Sequence, residues 1–248
     1  MEVSLYQAAA AMNATDRWQE MISDNLAASS IPGARKREIS FSAVQAGLDS
    51  NVSSLAGSGY VIPSANAATN FSQGELHPTG NAMDVALEGP GLFSIRTADG
   101  QQAYSRNGEF QLNSQGQLVN TQGNLVLGEG GPIQMNAGNS TPITISATGE
   151  VSQGADIKGQ IAVTEFGNMK AVTMGSGGLF TADAATAAPK AATTTGVRQG
   201  FVEASNTSPT LAMASLITAM RMFETNQKVM TMQSDRMSKA ITELSGAA

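Results

Sequence analysis

The sequence predicts an α+β protein in which N- and C-terminal coiled-coil helices flank a central antiparallel all-β domain. Three observations carry that reading. Leu216, Phe223, Met230, Met237 and Leu244 fall seven residues apart near the C-terminus, the spacing of one seam along a supercoiled helix. Near the other end, Leu5, Ala8, Met12, Ile22 and Leu26 fit a heptad frame, with Thr15 and Gln19 at its remaining seam positions. Between the two, Gly91, Gly100, Gly108, Gly116, Gly123 and Gly131 recur every seven to nine residues among short apolar runs, the rhythm of short strands joined by turns.

Taken in order, residues 1–30 read as the first coiled-coil helix, roughly 40 Å long. "IPG" at 31–33 stops it, because Pro32 disfavours helical geometry at Ile31 and Gly33 frees the backbone to turn. Residues 31–75, rich in Ser, Ala, Asn and Gly, read as an extended or partly helical connector. Residues 76–200 read as the antiparallel β domain, with "ADGQ" and "RNGE" as hairpin turns and "PITIS", "EVSQ" and "GQIAVTEF" as later strands. Within it, "TADAATAAPKAATTTG" reads as a mobile low-complexity loop. Residues 201–248 hold the C-terminal coiled-coil helix, which starts near Pro209, spans roughly 55 Å and pairs with residues 1–30. Asn226 and Gln233 interrupt its seam, and Met213, Met220 and Ile241 add apolar surface beside it. Two helices leave much of that surface wet, so helices of other copies are expected to cover it.

Composition narrows the function. Only 14% of the 248 residues are charged, against roughly 25% in ordinary globular proteins, so copies repel one another weakly. A formal charge of −6 argues against nucleic acid as a partner. There is no cysteine, which excludes disulfides and thiolate metal sites. No window approaches the ~20 apolar residues of a membrane span, so no membrane insertion is expected. Glu2 and Gln7 disagree with a cleaved secretory signal, leaving the cytoplasm or an export route without one.

Candidate chemistry is sparse. His77 is the only histidine, which removes a multi-histidine metal site and a His-paired nucleophile. "GEGGP" and "EGPG" lack the strand, loop and Lys of a phosphate cradle and read as turns. Asp84, Glu88 and Asp99 show no spacing that selects an acid and base pair. The chain is therefore expected to be no enzyme, with no cofactor, catalytic residue or metal ligand. Arg35, Lys36 and Arg37 read as a solvated basic run, with an acidic surface on an adjacent subunit as its functional alternative. Trp18 reads as a core or interface anchor.

Three blocks also carry a family resemblance. "DNLAASSIPGARKR" resembles an Asn-Leu-Ala-Asn-x-x-Thr-Pro-Gly-Phe-Lys signature through Asn25, Leu26, Ala27, Pro32 and Gly33, with Ala28, Ile31 and Ala34 departing from it. The block from "TGNAMDVALEGPGLFSIR" to "LVLGEGGPI" contains Gly91, Arg106, Asn107 and Gly108, and departs at Leu92, where Phe is common. "VRQGFVEASNTSPTLAMASLITAMRMFETNQKVM" contains Gln199, Gly200, Ser205, Asn206, Arg221 and Glu224. Together they resemble the flagellar basal-body rod proteins of bacteria, part of the axial rod and hook family. The likeness is greatest to proximal F-type subunits and next to distal G-type ones.

That resemblance implies a structural subunit whose terminal helices coil with those of neighbours into an inner tube, with the β domain outside. It implies itself and other rod subunits as partners, with hook-side or proximal rod proteins beyond them. It further implies passage through the flagellar type III export apparatus into a periplasmic rod. Leu5, Met12, Ile22, Leu26, Leu216, Phe223, Met230, Met237 and Leu244 are the expected assembly interface. A hook or distal rod subunit is the alternative within the family. A β-rich binding module on a coiled-coil stalk is the alternative of a different class.

Overall fold

The computed structural model describes residues 2–46, 60–136 and 141–246, and the chain divides into two compact units. One unit gathers residues 1–24, 37–68 and 209–248; the other gathers residues 25–36 and 69–208.

The second unit is the β domain. Its strands are β3 (Leu76–Pro78), β4 (Val85–Glu88), β5 (Leu92–Arg96), β6 (Gln102–Ser105), β7 (Phe110–Leu112), β8 (Leu118–Asn120), β9 (Leu125–Gly128) and β10 (Gly131–Pro132). There follow β11 (Ile143–Ile145), β12 (Glu150–Gln153), β13 (Asp156–Gln160), β14 (Val163–Phe166), β15 (Val172–Met174), β16 (Leu179–Ala182), a one-turn helix α2 (Ala184–Ala187), β17 (Pro189–Ala191), β18 (Gly196–Gln199) and β19 (Phe201–Glu203). The main sheet runs β15-β16-β6-β5-β9-β8-β7, with β10 on β9 and the pair β14–β17 joining through β5. A meander β11-β12-β13 and the pairs β18–β4 and β19–β3 complete it, and the strand pairings of this unit are antiparallel.

Strand β5 explains why alternation is weak in its sequence, "LFSI". One edge pairs with β6, while the other is shared by β9 at Ile95 and Arg96 and by β14 at Leu92 and Phe93. Leu92 faces a cluster with Tyr104, Val172, Phe180 and Ala187, whereas Phe93 faces one with Val85, Leu87, Phe110 and Val126. Both faces are thus buried, and the one polar side chain inside the strand, Ser94, is satisfied by the Thr164 hydroxyl at 2.9 Å. Phe93 and Phe110 meet edge to face at 5.0 Å, a geometry worth about 0.5–1.5 kcal/mol beyond burial.

Two expectations are corrected here. "ADGQ" is the β5–β6 hairpin, with Gly100 at φ 79°. "RNGE" is no hairpin: β6 pairs with β5 and β16, and β7 with β8. Its backbone instead docks sideways on β4, where Gly108 accepts from the Val85 N–H at 2.9 Å and Glu109 bridges to Asp84. The Ala/Thr-rich stretch is also ordered. It forms α2 and β17, and its end is gripped by Glu165, whose Oε1 accepts from the backbone and hydroxyl of both Thr194 and Thr195 at 2.7–3.0 Å. Burial pushes the Glu165 carboxyl up, and these donors outweigh it, holding it at about 2.

The first unit contains most of α1 (Glu2–Ala28), strands β1 (Arg37–Ala46) and β2 (Tyr60–Thr69), and α3 (Pro209–Gly246). Helix α1 stops before Pro32, as expected, and α3 begins at Pro209 and spans roughly 57 Å. The stretch read as a connector carries β1 and β2, which pair as a two-stranded sheet. Trp18 of α1 meets Phe41 of β1 edge to face at 5.7 Å, so it anchors helix to strand within the unit. Among the described residues, no helix is long and apolar enough to cross a membrane.

Candidate functional site

The residues that carry the family resemblance come from three distant stretches, and Gly33, Gly91 and Arg106 meet at one place in the β domain beside Glu203. Its centre is the carboxylate of Glu203, at the end of β19 and 1% exposed. Oε1 accepts from Arg35 Nη1 at 2.6 Å and from the Gly74 N–H at 2.7 Å; Oε2 accepts from Arg106 Nε at 2.5 Å. Arg106 spends its other donors on the carbonyls of Leu87, at 2.7 Å, and Gly91. Both arginines are buried, and Nε of Arg35 has no hydrogen-bond partner. Burial lowers the Arg106 pKa, Glu203 opposes that shift, and Arg35 adds to it.

The backbone around the cluster is equally fixed. Gly33 has φ 70°, and a Cβ there would lie 2.4 Å from the Arg106 carbonyl carbon, so geometry and space both demand glycine. Its N–H donates to the Glu203 carbonyl at 2.7 Å. At Gly108 a Cβ would lie 1.6 Å from the Val85 carbonyl oxygen, and at Gly91 2.6 Å from Val163. Asn206 ties three segments: its Nδ2 donates to the carbonyls of Asn70 and Ser72 at 3.0 Å, and its Oδ1 accepts from the Lys36 N–H at 2.7 Å. Gln199 donates to the carbonyls of Ala82 and Ile143, and the Gly200 N–H to that of Asp84. Asn107 caps its own turn at Glu109, and Ser205 accepts from the Thr207 N–H. Pro32 is half-buried, Asn25 and Ala34 are buried, and Arg221 and Glu224 lie exposed on α3.

The basic run is therefore not a solvated cluster. Arg35 is a buried ion-pair member, while Arg37 makes an exposed contact to Asp24 at 3.5 Å. Nothing in sequence spacing links Arg35 to Glu203, 168 residues away. The one visible signal is a lone Glu in the apolar strand "FVE".

The helical seams are the second feature. On α3 Ala212, Leu216, Ala219, Phe223, Asn226, Met230, Gln233, Met237 and Ala240 are sheltered, spaced alternately by four and three, with Ser215 sheltered beside them. Met213, Met220 and Ile241 flank that stripe on one side and Met222 and Val229 on the other, all exposed, with Met220 at 53%. On α1, Ala8, Met12, Thr15, Gln19, Ile22 and Leu26 are all buried or half-buried. The side chains of Leu5 and Leu244 lie outside the described residues.

The tempting chemical groups stay scattered. His77 is exposed on β3, Asp84 is held by Asn81, Glu88 pairs with Arg198 at the surface, and Asp99 is exposed in a turn. Among the described residues no group of three acidic, His or Cys side chains could hold a metal ion.

Comparison with known proteins matches these blocks. The family model described as the flagellar hook protein FlgE/F/G D1 domain matches residues 86–153, and that for the flagellar basal body rod FlgEFG protein C-terminal region matches residues 198–243. The chain is 33% identical to the flagellar basal-body rod protein FlgF of Mesorhizobium japonicum, over 98% of each chain. It is 31% identical to FlgF of Escherichia coli over 97% of each. It is also 29% identical to the rod protein FlgG of Buchnera aphidicola from Schizaphis graminum, over 97% of this chain and 99% of the relative.

Proposed function

Because the chain belongs to the flagellar basal-body rod protein family, we propose that it builds the rod by polymerising through its terminal helices. It is a structural subunit and not an enzyme, of the F type before the G type. In this reading α1 and α3 pair as a coiled coil along their sheltered stripes. Leu5, Met12, Ile22, Leu26, Leu216, Phe223, Met230, Met237 and Leu244 form the assembly seam. The neighbours are further copies and other rod subunits, with hook-side or proximal rod proteins at the ends of the stack. The rod lies in the periplasm, and the chain reaches it through the type III export apparatus without a cleaved signal.

One observation carries the polymerisation step: apolar side chains stand exposed on both sides of the α3 seam. A single partner helix covers one stripe, so flanks on both sides call for additional helices. The relatives align over nearly the whole chain, helices included, which supports a rod subunit over a binding module on a separate stalk. Phe223→Asp places a charge in the seam, where full burial without a partner costs several kcal/mol. Expression in a strain lacking the native copy is expected to give no rods and no swimming, with the β domain melting as before. Normal motility would contradict the proposal.

A further inference from the structure

We propose that Glu203 is a positioning residue for assembly: its one buried carboxylate locks the segment leaving α1 and the segment entering α3 to the β domain. Arg35 lies seven residues past the end of α1, and Glu203 six before the start of α3. Arg106, from the middle of the chain, holds the same carboxylate. The segment that follows α1 and the segment that precedes α3 are thereby joined to one another and to the β domain by planar guanidinium groups, which tolerate little angular error.

The charge count separates this role from plain stabilisation. Two guanidinium groups share one carboxylate, so the cluster carries a net charge of +1 out of water, and Arg35 Nε is left without a partner. Apolar side chains of similar volume would serve stability at least as well, because desolvating ions offsets most of their attraction. What they would not do is join three segments in one fixed geometry. Arg35 is the informative arm. Without it Glu203 and Arg106 remain a balanced pair, and the α1 side loses its charged tie while keeping the backbone bonds of Gly33 and Lys36.

The clamp stands on this geometry alone, while its consequence for assembly rests on the rod-subunit reading. The test is Arg35→Met in the full chain. The expected melting temperature is within about 2 °C of wild type. Amide exchange at Gly33 and Lys36, which bond to the Glu203 carbonyl and the Asn206 side chain, should accelerate about tenfold or more, with β5 and β9 unchanged. Swimming should be lost, and Arg35→Lys should restore neither property fully. Uniformly faster exchange with a large fall in melting temperature would reduce the cluster to a stability element and overturn the proposal. So would unchanged exchange at Gly33 and Lys36, or faster exchange there with normal swimming. Failure of the wild-type copy to restore motility would count against the rod reading instead, leaving exchange to decide the clamp.

Discussion

Glu203→Gln probes the centre of the cluster with almost no change in volume. A glutamine amide has one oxygen, whereas both carboxylate oxygens of Glu203 accept from guanidinium nitrogens, at 2.6 and 2.5 Å. Whichever way the amide turns, an NH2 group faces a guanidinium N–H. Two buried cations then also lack any anion. Breaking a buried pair in this manner costs about 3–5 kcal/mol. For a unit of this size each kcal/mol lowers the melting temperature by about 2–4 °C, so a fall of roughly 6–20 °C is expected. Thermal and urea unfolding followed by circular dichroism reads this directly. Adding Arg35→Met removes one of the two stranded cations and should recover part of the loss. A loss under about 1 kcal/mol for Glu203→Gln would refute the claim that the carboxylate holds two buried charges together.

Two further outcomes follow from the β domain. Gly33→Ala should cost at least about 2 kcal/mol in urea unfolding, since a left-handed φ and a backbone clash add. Gly100→Ala, with a similar φ and nothing within 4 Å, should cost only about 1 kcal/mol. Glu165 is held at about 2 when folded against an ordinary value of 4.5, so its stabilisation is complete above about pH 5 and is lost as pH falls toward 2. Solvent screening reduces that contribution to the order of 1 kcal/mol. Glu165→Gln should accordingly flatten the stability profile between pH 5 and about 2 in urea titrations.

The features legible in the sequence are those with a period. The α3 stripe could be read because apolar residues spaced by seven line one helix face, and the structure shelters Leu216, Phe223, Met230 and Met237 along it. The strands could be read because glycine turns recur at short intervals, and Gly100, Gly116, Gly123 and Gly131 do adopt positive φ. Gly108 had the same spacing for another reason, the close approach of Val85, and an Asn-Gly pair there imitates a hairpin. The Ala/Thr stretch lacked periodicity because it is ordered by backbone pairing with β14 and by one side chain, Glu165, which composition cannot reveal. Hidden most completely was the Arg35–Glu203–Arg106 cluster, since ion pairs across 168 and 97 residues follow no local rule.

The most direct test of subunit contact uses the absence of native cysteine. A single Met220→Cys reports on the exposed α3 flank, and Ile157→Cys on the β domain serves as control. Maleimide labelling of the isolated subunit should modify both positions. In purified basal bodies, the account predicts that position 220 becomes protected while position 157 still reacts. Equal labelling of position 220 before and after assembly would contradict the claim that neighbouring subunits cover the terminal helices.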